Sequence, residues 1–136
     1  MKKILSFTLL SFILSSCVGP PDPDHGLVEN LPVVINTPSA FSFSVRGDNY
    51  TLDETIDLSF NLQEGKSVAS TLIVTDFKSN DTTIVRLEDA NGGTIYQYTV
   101  TGNSTRVDGS STTKPKKAVI QGTKFNGILE WTLTAN

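Results

Sequence analysis

The chain has 136 residues, a formal charge of −3, 38% hydrophobic and 18% charged residues, and a single Cys, His and Trp. Such a length suits one domain, and such a balance can bury a core, which a disordered polyelectrolyte cannot. The acidic surplus argues against nucleic acid as a partner, because a phosphate backbone is held by clustered cations.

Met1-Lys2-Lys3 opens the chain with positive charge, and an apolar run follows over residues 4–14 with Leu5, Phe7, Leu9, Leu10, Phe12 and Ile13. Ser15 and Ser16 are small, and Cys17 comes next. Charge, a short apolar core and small residues in that order describe a secretory signal. The run falls short of the roughly 20 apolar residues that span a bilayer. Removing residues 1–16 takes away Lys2 and Lys3 and leaves 9 basic against 14 acidic residues, a charge of −5.

Leu14-Ser15-Ser16-Cys17 resembles a lipobox, the recognition site of lipoprotein signal peptidase. The resemblance implies that residues 1–16 are a signal peptide and that the Cys17 sulfur carries diacylglycerol. It also implies that the new amino terminus is acylated with a fatty acid such as palmitate. A thiol suits this role because its thiolate is the nucleophile that takes up the lipid. Val18, where an Asp would resemble an inner-membrane retention signal, favours the outer membrane. The Thr- and Asn-rich chain behind a short tether is similar to Bacteroidota lipoproteins, which are often displayed on the cell surface.

Residues 17–32 are expected to form the lipidated cysteine and a flexible tether, since Gly19-Pro20-Pro21-Asp22-Pro23-Asp24-His25-Gly26 excludes regular structure. His25, the sole histidine, sits there beside Asp22 and Asp24. One imidazole and two carboxylates on such a segment are too few pre-positioned ligands for a tight metal site.

From residue 33 to 136 the pattern changes to period two. Phe41, Phe43 and Val45 alternate with Ser42, Ser44 and Arg46. Ile56, Leu58, Phe60 and Leu62 alternate with polar residues, and so do Leu129, Trp131 and Leu133. Alternation is the mark of half-buried strands. Residues 67–77, 82–87, 94–101 and 118–121 are β-branched or aromatic runs of strand length. Turn chemistry separates them at Gly47-Asp48-Asn49, Gln63-Glu64-Gly65, Ser79-Asn80-Asp81, Asn91-Gly92-Gly93 and Gly102-Asn103. The expected fold is all-β, an antiparallel two-sheet sandwich of immunoglobulin-like or jelly-roll-like type. Trp131 is expected to anchor its core with an indole partner at the rim. Residues 102–117 are expected to be one long irregular loop, with Lys114, Lys116 and Lys117 as a solvated cluster.

Asp57–Leu62, Gly65-Lys66-Ser67-Val68, Val85–Gly92 and Gly127–Leu133 resemble the strand order of bacterial pre-peptidase C-terminal domains. Those are small β-sandwiches, and the resemblance implies a binding or targeting role. Asp81-Thr82-Thr83 is similar to the Bacteroidota O-glycosylation pattern, which makes Thr82 a candidate glycan acceptor.

The sole His lies in the tether and the sole Cys is assigned to lipid, so no nucleophile–base pair is expected in the domain. The carboxylates fall mostly in turns, where Asp usually caps its own backbone. No cofactor is implied, and calcium at Asp76, Asn80 and Asp81 lacks the dense spacing of a calcium loop. Arg46-Gly47-Asp48 spells an integrin-binding tripeptide, but Gly-Asp is common turn chemistry. The expectation is a non-catalytic outer-membrane or cell-surface lipoprotein, held to the membrane by lipid and binding an envelope protein partner. A glycan- or calcium-binding module, with Tyr50, Tyr96 and Tyr98 as a stacking platform, is the alternative. So is a structural subunit that exchanges strands through an edge near Val33–Ile35.

Overall fold

A computed structural model describes residues 26–136, so Cys17 and His25 lie outside the described residues. Seven strands follow one another: β1 Val33–Asn36, β2 Ala40–Asp57, β3 Val68–Thr75, β4 Thr83–Glu88, β5 Thr94–Val100, β6 Ser104–Ser111 and β7 Lys117–Ala135. All named pairings are antiparallel. The fold is all-β and sandwich-like, and its two layers are parts of one continuous sheet.

The continuity comes from two long strands. β2 and β7 have 18 and 19 residues and pair along nearly their whole length. One layer holds residues 40–46 of β2 and 128–135 of β7, flanked by β1 on one side and by β3 and then β6 on the other. The second holds residues 53–57 of β2 and 117–122 of β7, followed by β4 and β5. A straight strand this long would leave half its apolar side chains in water, so both strands turn the same corner. Gly47 faces Gly127 there, and the register shifts between Gly47, Tyr50 and Leu52. Bulges bend and twist a strand in this way. Gly127 has φ 141°, and Asn49 and Lys124 lie at φ 54° and 49°. A side chain at Gly47 would meet the Phe125 ring at 2.6 Å and its carbonyl oxygen at 2.8 Å.

Gly47-Asp48-Asn49 therefore does not end a strand, as its turn chemistry suggested; it is the bulge inside β2. Nor is the stretch 102–117 a long loop, because β6 occupies Ser104–Ser111 and pairs with β3. Phe41, Phe43, Val45, Leu129, Trp131 and Leu133 are fully buried, so the alternation placed the right faces inward. Leu58, Phe60 and Leu62 are buried too, yet β2 ends at Asp57. Their segment crosses the end of the sandwich, with Leu58 N–H donating to Lys116 C=O and Asn61 N–H to Pro38 C=O. One apolar cluster unites both layers, with Leu72 and Val74 on one side and Val85, Leu87, Val100 and Ile120 on the other.

Candidate functional site

The two layers meet through the corner on one side and through tyrosines on the other. β5 and β6 are joined by residues 101–103 but belong to different layers, and they share no ladder. Tyr96 and Tyr98 close this seam. Tyr96 Oη lies 3.1 Å from Val68 C=O, to which it donates, and accepts the Ser111 N–H at 3.0 Å. Tyr98 Oη lies 2.9 Å from Ser70 Oγ and 2.9 Å from Asp108 Oδ2. Trp131 Nε1–H donates to the same Ser70 Oγ at 2.9 Å.

The proton inventory fixes the direction of this chain. A phenol has one proton and a carboxylate only accepts, so Tyr98 donates to Asp108 and Ser70 donates to Tyr98. The indole donates at the start and the carboxylate accepts at the end. Trp131 thus finds its partner inside the core, on a fully buried serine, and not at the rim. Tyr98 is also buried, which removes it from any exposed stacking platform.

Burial pushes the Tyr98 phenol up from 10.0 to about 12; the Ser70 hydroxyl acts against this and Asp108 adds to it. The fold therefore keeps the Tyr98 proton at pH values where the unfolded chain has lost it. The resulting stability is intact below pH 10 and is lost as pH rises from 10 towards about 12. Tyr98→Phe is expected to cost about 1–2 kcal/mol at pH 7, through the lost hydroxyl contacts. It should flatten the alkaline limb relative to the wild type. Urea midpoints of both proteins at pH 7 and pH 11 check this, and a gap that stays constant between the two would contradict the assignment.

Thr82 lies exposed just ahead of β4. Its neighbour Thr83 is buried, and Thr83 Oγ1 has no hydrogen-bond partner among the described residues. Asp81 accepts a bond from Thr123 Oγ1 at 3.0 Å. Among the described residues no three His, Cys, Asp or Glu side chains come together as a metal site. Arg46-Gly47-Asp48 borders a polar cavity of about 390 Å³ together with Glu29, Asp76 and Lys78. Both signs of charge line it. The tripeptide is held within β2, and Asn30 clamps Asp48 through both of its backbone groups.

The edges of the sheet differ in chemistry. β6 carries Arg106 and Asp108, and the outer half of β2 carries Asp53, Glu54 and Asp57. Charges on an edge strand discourage another chain from pairing with it. β1 has none. Val33, Val34 and Ile35 are 47%, 44% and 54% exposed, and Val28 and Leu31 just before them are 56% and 57% exposed. Large aliphatic side chains therefore stand in solvent on both faces of one short strand. Leu27 is buried, and Asn30 N–H donates to Arg46 C=O, so the segment leading into β1 is docked on the domain.

The free backbone groups of this edge can be identified. Thr37 N–H donates to Ala40 C=O at 2.9 Å, making 37 and 40 a hydrogen-bonded pair in the β1–β2 register. Hydrogen-bonded pairs alternate with non-bonded ones along an antiparallel ladder. Ile35 and Val33 are then bonded to Ser42 and Ser44, while Val34 and Asn36 turn their N–H and C=O groups outward. Among the described residues no backbone bond outside the ladders goes to the N–H or C=O of Val34 or Asn36; the Asn36 side chain is engaged instead, donating to Asp57 C=O and accepting the Ser59 N–H, each at 2.8 Å. Pro32 and Pro38 bracket the strand.

Among the described residues no helix is long and apolar enough to cross a membrane. No family model matches this chain, and no curated protein and no solved structure matches it.

Proposed function

We propose that the chain is a non-catalytic lipoprotein of a bacterial outer membrane, anchored through Cys17, whose small β domain binds a partner in an envelope assembly. The observation that supports this most directly is the uncharged aliphatic edge at β1: β6 and the outer half of β2 carry charge, and the uncharged β5 is tied to β3 and β6 by Tyr96 and Tyr98. Monomeric proteins seldom leave such an edge open, because it is a template for a further strand. Its position adds to the argument. The edge follows directly on the segment that leads back to Cys17, so an anchored domain would hold it near the membrane, among other envelope proteins. The resemblance to pre-peptidase C-terminal domains carries the same sense of binding and targeting.

Extraction of the full-length protein from its native membranes in mild detergent tests this reading. The protein is expected to elute in a complex of fixed stoichiometry. A monomer with nothing bound to it would overturn the proposal.

A further inference from the structure

We propose that the partner at the β1 edge is a second copy of this chain, paired antiparallel β1 to β1 about a two-fold axis through Ile35. The inference rests on the partner-binding reading above and names the partner. It is carried by the symmetry of the strand's own sequence. Val34 and Asn36 present the outward N–H and C=O groups, and they lie one residue to either side of Ile35. Setting Val34 of one copy opposite Asn36 of the other lets each such pair exchange two N–H···O=C bonds, in the geometry of a hydrogen-bonded antiparallel pair. The axis then makes the same pair twice.

The ends of the ladder agree with this register. Three residues before Ile35 stands Pro32 and three after it stands Pro38. In the two-fold register each proline faces the other across the interface. Proline has no N–H to donate, so the ladder stops at both ends at the same place. Any shift of register would set an outward donor or acceptor against a proline and leave it unmet. The side chains also fit. Ile35 meets its own copy in a non-bonded pair, where side chains approach closely, and Val33 meets Thr37.

Charge selects the same edge. Without residues 1–16 the chain has 9 basic and 14 acidic residues, so two copies repel each other at most approaches. Residues 31–38 contain no charge of either sign. A lipid surface would cover the aliphatic side chains equally well, but hydrocarbon would leave the outward N–H and C=O groups of Val34 and Asn36 without partners. A strand satisfies them.

The anchors allow it too. Residues 17–25 separate the lipidated cysteine from the described domain and reach about 30 Å at ~3.3 Å per residue. In the paired ribbon the two Val33 α-carbons are only about 14 Å apart at ~3.4 Å per residue. Both tethers can therefore enter one membrane.

The test uses the full-length protein in its native membranes, where Cys17 is occupied by lipid. Ile35→Cys supplies a thiol on the axis, at an α-carbon separation of about 4.5 Å that a disulfide accepts. It is expected to give a covalent dimer under mild oxidation. Val107→Cys on β6, 70% exposed, is expected to give none. Val34→Pro removes an outward N–H and leaves the β1–β2 bonds intact, so it should fold as the wild type does by near-ultraviolet circular dichroism and elute as a monomer. Equal cross-linking at both cysteine positions overturns the proposal. So does a wild-type complex with a different protein that Val34→Pro releases, although the partner-binding reading would then stand. A wild type that is monomeric in detergent but binds zwitterionic vesicles through Ile35 overturns both.

Discussion

Trp131→Ala is expected to destabilise the domain by about 3–5 kcal/mol, the usual range for deleting a buried large aromatic. Several features place it towards the upper end. Trp131 is fully buried on β7, paired with Phe43 of β2 on one side and Leu72 of β3 on the other. The Phe41 ring meets it edge-on at 5.6 Å and 79°, an arrangement worth about 0.5–1.5 kcal/mol beyond burial alone. The substitution also removes the donor that starts the chain through Ser70 and Tyr98 to Asp108. With a total stability of about 5–15 kcal/mol for an ordinary domain, such a loss brings the folded state near its limit. Trp131→Phe keeps most of the volume but loses the N–H and part of the ring system, so a smaller loss of about 2–3 kcal/mol is expected, from the missing hydrogen bond and a small cavity. Trp131 is the sole tryptophan, hence far-ultraviolet circular dichroism in urea must follow both variants. A loss under about 1 kcal/mol for the alanine variant would show that this indole does not anchor the core.

Much of the architecture was legible because burial leaves a period of two in the sequence. Phe41, Phe43 and Val45, and Leu129, Trp131 and Leu133, repeat at that period and are buried as expected. What stayed hidden depends on contacts distant in sequence. Gly47-Asp48-Asn49 has the composition of a turn, and only the facing Gly127 and Asn126 convert it into a bulge. β6 has no apolar alternation to read, since it lies outside the core and exposes Val107. Its ladder with β3 alone makes it a strand. Residues 58–62 show the converse: their alternation reports burial correctly, but their backbone N–H groups go to Lys116 C=O, Pro38 C=O and the Asn36 side chain and form no ladder. Ser70 gave no signal at all. A serine in a β-branched run reads as a solvent-facing position, and its place between Trp131 and Tyr98 emerges only when the two layers close. Val33–Ile35 was legible in the sequence only as the place for an edge, and which of its backbone groups are free required the register with β2.

Cys17→Ser is expected to abolish lipid attachment completely, and the reason is chemical, not structural. Diacylglyceryl transfer at this position needs a thiolate, and a hydroxyl at neutral pH supplies no comparable nucleophile; without that step there is no cut and no new amino terminus to acylate. If residues 14–17 act as a lipobox, the wild type should take up labelled palmitate and lose residues 1–16. The serine variant should take up no label and keep those 16 residues, because lipidation precedes the cut. Fractionation alone is a poor readout. The uncut variant retains the apolar run of residues 4–14, which can hold it loosely at a membrane although it is shorter than the roughly 20 residues a span requires. Label and mass together separate the cases. The anchoring strength follows from chain number: one acyl chain binds a bilayer only marginally at about 0.8 kcal/mol per buried methylene, whereas a second makes the attachment stable. Wild-type protein should consequently stay with the membrane through high salt and leave it only in detergent. A serine variant that is still shortened to the wild-type mass would point to an ordinary secretory signal. The domain would then be released, and two copies would have to find each other in solution without the confinement of a shared membrane.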